Sequence, residues 1–252
     1  MPAVGAAVAL LPTALDALRQ GRPVLLYDAD DREGETDIVY ASQHMTPDAV
    51  RHLRTDAGGL LCTTVPPEHH RLLGLPFLAD LLREAAKTHP VLRHMQANDL
   101  RYDPSKSSFG LTVNARKTFT GIPDADRALT ITSLTTFLGK AESLPAAKAQ
   151  EEFGAQFRSP GHVILLNAAE GGLAARRGHT ELATELLRQA RLVPSATICE
   201  MLGDDGRALG KKAAQAYAQR HGLVFLTGQE VVDAWQDRTL HKAQRPVPTS
   251  AS

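Results

Sequence analysis

Six carboxylates fall within ten residues in the run Asp28-Ala29-Asp30-Asp31-Arg32-Glu33-Gly34-Glu35-Thr36-Asp37. Charges this close repel one another, and each raises the pKa of its neighbours. A divalent cation would relieve that cost, and hard oxygen ligands suit magnesium. The competing reading is a solvated acidic loop. A second segment, Arg158-Ser159-Pro160-Gly161-His162, reads as a Pro-Gly turn leading into an apolar strand, with His162 at the strand's edge. Imidazole titrates near neutral pH and can serve as acid, base or ligand; a structural histidine is the alternative.

A third segment, Arg176-Arg177-Gly178-His179-Thr180, stands directly before a helical pattern. Two guanidinium groups ahead of a helix N-terminus oppose the helix dipole, and an anion would resolve that conflict. Thr180 is placed to cap the helix with its hydroxyl facing the same pocket. Thr118 to Arg127 gathers Thr, Gly, Asp and Arg before another helix, which suits a polar ligand or a plain turn and cap. Glu200 follows the apolar Ile198 and Cys199, and a carboxylate in such a strand needs a partner or a raised pKa, unless it points outward.

The elements that must position these groups alternate along the chain. Helices are expected over Ala6–Gln20, from Thr46-Pro47 onward, over Asp126–Leu138, Ala146–Gln156, Thr180–Ala190 and Leu209–His221, and after the capping-box spacing Thr227 to Glu230. Strands are expected over Pro23–Tyr27, Ile38–Ser42, Leu60–Val65, Phe109–Asn114, His162–Asn167, Ala196–Met201 and Val224–Leu226. Pro76 to Ser108 is the least regular stretch, read as short helices and loops. The alternation predicts an α/β (α+β) sandwich: a single domain over residues 1–240 with a mixed sheet covered by helices, and a frayed tail over 241–252.

Lys plus Arg equals Asp plus Glu at 28 each, so charge gives no reason to expect a nucleic-acid or membrane-surface partner. Cys62 and Cys199 are the only cysteines; they form no zinc spacing and read as small buried hydrophobes, so a cytoplasmic setting is expected. No apolar run reaches membrane-spanning length.

In this order the segments resemble the 3,4-dihydroxy-2-butanone 4-phosphate synthase family of riboflavin biosynthesis. The matching pieces are Asp30–Asp37 (DDREGETD), Asp56–Cys62 (DAGGLLC), Thr120–Ile131 (TGIPDADRALTI), Phe157–His162 (FRSPGH), Arg176–Glu181 (RRGHTE) and Ile198–Gly206 (ICEMLGDDG). The resemblance runs from about Gly21 to about Val232 and looks nearest to the archaeal-type stand-alone members. It implies conversion of D-ribulose 5-phosphate to L-3,4-dihydroxy-2-butanone 4-phosphate and formate by a homodimer with active sites near the subunit interface. It also implies two magnesium ions per site, with manganese as the alternative metal.

Carried over by motif, Glu33 and His179 become metal ligands, and His162, Glu200, Glu33 and Asp37 become catalytic groups. Arg32, Glu33, Asp37, Thr120, Arg176, Arg177, Gly178, His179, Thr180 and Glu200 line the substrate site, with Asp124 or Asp126 at its border. The chain departs from the family at Asn167, where Arg is usual, and at Pro123, where Ser or Thr is common; fine substrate contacts are what those changes touch. A cyclohydrolase domain, which some relatives carry, would need three zinc-binding cysteines that this sequence lacks. Two other readings are a non-catalytic relative that binds a phosphosugar or nucleotide, and a metal-dependent phosphosugar hydrolase releasing inorganic phosphate.

Overall fold

The short apolar run Val24-Leu25-Leu26-Tyr27 is buried at every residue because the strand it forms is covered on both faces. The structure, a computed structural model, describes residues 10–96, 103 and 107–243. In chain order the elements are α1 (Leu10–Arg19), β1 (Val24–Tyr27), β2 (Thr36–Ala41), α2 (Pro47–Asp56), β3 (Cys62–Val65), α3 (Pro67–Leu73), α4 (Leu78–Ala85) and β4 (Phe109–Ala115). They continue with α5 (Asp124–Ala141), α6 (Ala146–Gln156), β5 (Phe157–Asn167), α7 (His179–Gln189), β6 (Ala196–Glu200), α8 (Lys211–His221), β7 (Val224–Thr227) and α9 (Gly228–Ala243).

The strands form one mixed seven-stranded sheet in the order β4-β5-β3-β6-β2-β1-β7. The pairs β5/β3 and β1/β7 are parallel, and the remaining neighbours are antiparallel. Alternate strand residues feed two separate cores. Leu25, Ile38 and Cys199 pack with Leu53 of α2, Ile131, Leu134 and Phe137 of α5, Ala149 of α6 and Ala214 of α8. Val24, Leu26, Val39 and Ile198 pack on the opposite face with Leu18 of α1, Leu182 and Leu186 of α7 and Val231 of α9. This is the mixed sheet between helical layers that the alternation of elements predicts.

Local signals explain several element ends. The Thr46 side chain accepts a hydrogen bond from Ala49 N at 3.1 Å, with Pro47 in the first turn of α2. Before α9, Glu230 accepts from both the backbone N–H and the hydroxyl of Thr227 at 2.7 Å. The region from Pro76 to Ser108 contains α4 and a short 3-10 turn at Pro90–Arg93; residues 97–102 and 104–106 lie outside the described part. The same holds for residues 6–9 of the expected first helix and 244–252 of the expected tail. Among the described residues no helix is long and apolar enough to cross a membrane.

Two expectations need correcting. The segment Arg158–His162 is not a turn ahead of a strand but part of β5 itself. Consecutive β4 residues Val113 and Asn114 pair with Val163 and Arg158, so Ser159–His162 bulge out of the ladder. His162 therefore sits inside a strand, exposed, instead of at a strand's start. Thr180 is likewise not the cap of its helix: Gly178 occupies that place without a side-chain bond, and Thr180 is the second helical residue.

The bulge depends on Gly161, because a Cβ there would lie 2.0 Å from the carbonyl carbon of Val113. Backbone cannot yield as a flexible side chain can. Gly161→Ala is expected to destabilise the fold by about 2 kcal/mol or more, as overpacking does, read as a lowered midpoint in urea; an unchanged midpoint would show that β4 and β5 separate there at no cost.

Candidate active site

The acidic segment is a hairpin loop between β1 and β2, and one carboxylate organises it. Asp28, buried at the end of β1, accepts from Glu33 N and Glu35 N at 3.0 Å each and from the Arg32 guanidinium at 3.1 Å. Gly34, at φ +70°, supplies the left-handed residue that closes the loop. Thr36 and Asp37 already belong to β2, so the loop proper is Asp28–Glu35.

The loop projects Glu33 toward His179, the first residue of α7. Glu33 Oε2 stands 3.2 Å from His179 Nδ1, while Nε2 lies 3.2 Å from the Glu35 carbonyl and 3.6 Å from Asp37 Oδ1. Asp37 pairs with Glu200 across β2 and β6. Asp37 is 1% exposed, and neither of its carboxylate oxygens has a hydrogen-bond partner.

This packing separates the acidities. Burial opposes ionisation of Glu33, but the His179 hydrogen bond and the Arg32 charge outweigh it and hold the carboxyl at about 2. Burial drives Asp37 up to about 8, assisted by Glu200, Glu33 and Glu35 and opposed by His179. Glu35 and Glu200 are both raised, chiefly by burial. His179 is pulled down by burial, yet Asp37, Glu33 and Asp28 together lift it to about 9. At neutral pH the site therefore holds a charged Glu33, a charged imidazole and, in Asp37, a carboxyl poised to carry a proton.

Arg32, Glu33, Asp37, Arg176, His179, Thr180 and Glu200 line one cavity of about 100 Å³. Seven sequence-derived positions thus converge on a single space. Arg176 does not face it as a bare cation. Asp103 grips its guanidinium at 2.6–2.7 Å, and the buried Glu181 bonds it at 2.7 Å from the other side. Those carboxylates offset the charge of Arg176 ahead of α7. Gly178 is packed between two guanidinium groups: a Cβ there would fall 2.3 Å from Arg176 and 2.6 Å from Arg32.

Other sequence-derived positions are not part of this cavity. Arg177 is exposed and lines a separate space with Asp31, Gln229 and Val232. His162 and Thr120 are exposed and meet elsewhere, through Asn114: its Nδ2 lies 3.1 Å from His162 Nδ1 and donates to the Thr120 carbonyl at 3.3 Å. Asp124 pairs with Arg54 and Arg127, and Asp126 accepts from Gly121 N, so neither borders the acidic cavity. Conversely, Asp103, Ser107, Ser108 and Cys62 line it and were not singled out from sequence as site residues. The first three come from the irregular stretch before β4, where no periodicity marks which side chains face inward. Cys62 and Cys199 are buried thiols pushed up by burial, which suits inert packing.

The donor set fits a hard divalent cation. Asp28, Glu33 and His179 each present one donor atom within 4.8 Å of the others. The unpartnered oxygens of Asp37 lie beside them. With its Nε2 proton given to the Glu35 carbonyl, His179 would turn a free Nδ1 toward Glu33, the arrangement by which a backbone carbonyl orients a metal-ligating histidine.

Residues 12–234 match the family model for 3,4-dihydroxy-2-butanone 4-phosphate synthase. The protein of that name from Methanosarcina mazei is 49% identical over 225 residues, covering 88% of this chain and 89% of the relative. A solved 3,4-dihydroxy-2-butanone 4-phosphate synthase in complex with two magnesium ions superposes with a TM-score of 0.69 at 30% identity, covering 90% of this chain and 96% of that one. Against a two-domain synthase from A. baumannii the TM-score is 0.68 at 29% identity; 88% of this chain is covered, and it spans 56% of that longer protein.

Asp28 gives the loop its shape without lining the cavity. Asp28→Ala leaves two backbone N–H groups without their acceptor and is expected to destabilise the protein by about 1–3 kcal/mol. A urea transition that keeps its wild-type midpoint would mean that the loop is ordered by something other than this carboxylate.

Proposed function

This chain belongs to the 3,4-dihydroxy-2-butanone 4-phosphate synthase family, and on that footing we propose that it converts D-ribulose 5-phosphate into L-3,4-dihydroxy-2-butanone 4-phosphate and formate. The product supplies the four-carbon unit of riboflavin, and the release of formate by carbon–carbon cleavage makes the enzyme a lyase. The observation that carries the reading is the convergence of Glu33, Asp37, His179 and Glu200 on one cavity that also receives Arg32, Arg176 and Thr180.

Two magnesium ions, or manganese in their place, are the proposed cofactors. Glu33 and His179 would hold metal, with Asp28 and Asp37 within reach. When bound, the metal would polarise the substrate's carbonyl and hydroxyl oxygens, which enolisation requires.

The chain's own groups divide the remaining work. Glu33 stays ionised and fixes the imidazole through its contact with Nδ1. Asp37, pushed up to about 8, can give and take protons near neutral pH as the substrate is enolised, loses its first hydroxyl and rearranges, and Glu200, raised by burial, stands opposite it across the strands. Arg32 presents a cationic group to the cavity wall. Thr180 and the first turn of α7 offer a hydroxyl and backbone donors to the phosphate, beside Arg176, Ser107 and Ser108. Closure over the substrate would exclude water from the rearranging carbons.

His162 and Thr120 lie outside the cavity of their own protomer, so a catalytic role for His162 and a substrate-binding role for Thr120 require a second copy of the chain. A homodimer with its active sites near the interface meets that need, and Phe119 and Ile122, exposed beside Thr120, offer apolar surface for it. The two unpaired buried thiols suit a reducing compartment, and we place the enzyme in the cytoplasm.

Purified protein with ribulose 5-phosphate and magnesium should release formate, and Glu33→Ala should lower the rate by about 10² or more. Formate from the wild type without metal would remove the metal role. Inorganic phosphate in place of formate would favour a hydrolase, and tight binding with no turnover a non-catalytic binder. Metal affinity should also depend on pH. The imidazole at about 9 carries a proton that a metal must displace. Affinity should therefore tighten from pH 7 to 9, by up to about tenfold per unit for each proton released. Calorimetry in buffers of different ionisation enthalpy reads that proton directly; a flat affinity with no proton release would contradict it.

A further inference from the structure

The outer end of the acidic loop is tied to a helix that takes no direct part in the cavity. Tyr27, the last residue of β1, donates its hydroxyl to Asp30 Oδ1 at 2.6 Å. Lys211 Nζ lies 4.3 Å from the Tyr27 ring centroid and 3.4 Å from the same Asp30 oxygen. The Tyr27 ring also stacks on Phe225 of β7 at 6.5 Å between centroids. Three groups from β1, the loop and α8 thus close on one another.

Lys211 is an expensive residue where it stands. It is the first residue of α8 and Lys212 the second, so two ammonium groups sit at the positive end of a helix dipole. Asp30 is equally awkward alone, being one more carboxylate among six and four-fifths exposed. Each charge is explained by the other. The contact also joins two halves of the site. Leu209, two residues before Lys211, donates its backbone N–H to the Met201 carbonyl at 2.9 Å, directly after Glu200. Lys211 is therefore anchored to the end of β6 on one side and to the acidic loop on the other.

We propose that Lys211, acting through Asp30 and Tyr27, is a positioning residue that sets the acidic loop relative to β6 and so holds Glu33 where it meets His179 and the metal. The proposal rests on the reading of this loop as the metal-facing part of the enzyme. Asp28 fixes the loop's internal shape; Lys211 fixes where that shaped loop sits. Loss of Lys211 removes no cavity residue but lets the loop, and Glu33 with it, swing about its two strand ends, so metal binding weakens before folding does.

The test uses Lys211→Met, which keeps the aliphatic stem over Tyr27, with Lys211→Arg and Tyr27→Phe beside it. Manganese binding is followed by the electron paramagnetic resonance of the free ion, a readout that needs no turnover. Thermal unfolding and formate kinetics are recorded on the same proteins. Lys211→Met is expected to weaken manganese binding by about threefold to fivefold, the size of a partly exposed ion pair, and to raise the metal concentration for half-maximal formate release by the same factor. Its Tm and its rate at saturating metal should stay near wild type. Lys211→Arg should restore the affinity, and Tyr27→Phe should lie between. Wild-type manganese affinity in folded Lys211→Met would overturn the proposal. So would a loss that Lys211→Arg does not restore, or one that only follows a fall in Tm. A wild type that binds manganese but makes no formate would sink the enzymatic reading and leave the positioning test intact; a wild type that binds no manganese would overturn both the metal site and this role for Lys211.

Discussion

Asp37 and Glu200 stand directly opposite each other on β2 and β6, and the organisation of the site follows from the cost of that pairing. Like charges at opposed strand positions repel, and burial worsens the repulsion. The fold answers by inserting an imidazole. His179 opens α7, where a cation gains nothing from the helix dipole, so its charge is held by carboxylates alone. Glu33 comes to the same imidazole from the loop, and Arg32 lies 3.0 Å from Glu33. Each charged group there makes sense only beside its neighbours, so removing one partner costs more than the pair contributes.

Rigid elements hold this set in register. β2 and β6 lie near the middle of the sheet, apolar on both faces, and neither can shift without disturbing two cores. α7 rests one stripe of apolar residues on the sheet and presents its first turn to the cavity. The loop between β1 and β2 is neither strand nor helix, and Asp28 holds it with hydrogen bonds. The pKa separation of Glu33 from Asp37 is then a consequence of depth: one sits at the mouth beside Arg32, the other at the floor without a hydrogen bond, 3.6 Å from His179.

Groups whose meaning is local were legible in the sequence. The acidic run, the RRGHT turn before α7, the carboxylate Glu200 in an apolar strand and the alternation of strands and helices pointed to the sheet, its helical layers and seven of the cavity's lining positions. What escaped depends on contacts remote along the chain. Asp103 reaches Arg176 across 73 positions, and nothing in its surroundings marks it as an ion-pair partner. The Pro-Gly pair at 160–161 carries an ordinary turn signature, yet a neighbouring strand makes it a bulge, because Gly161 lets Val113 come close enough. Arg177 and Thr120 share motifs with site residues, but adjacency in a motif does not fix where a side chain ends up, and both lie outside the cavity.

The partnership of β1 with β7 bears on how the protein comes into being at the ribosome. These parallel strands join Val24 to Val224, so β1 must wait for a strand made long after it. Until β7 emerges, β1 offers an open hydrogen-bonding edge next to the acidic hairpin. That edge is a template for pairing with another nascent chain. The hairpin's own negative charge borders it, and like-charged loops on two nascent chains repel. The residues that later serve the cavity would thus also discourage strand exchange during synthesis, in the interval before the sheet closes.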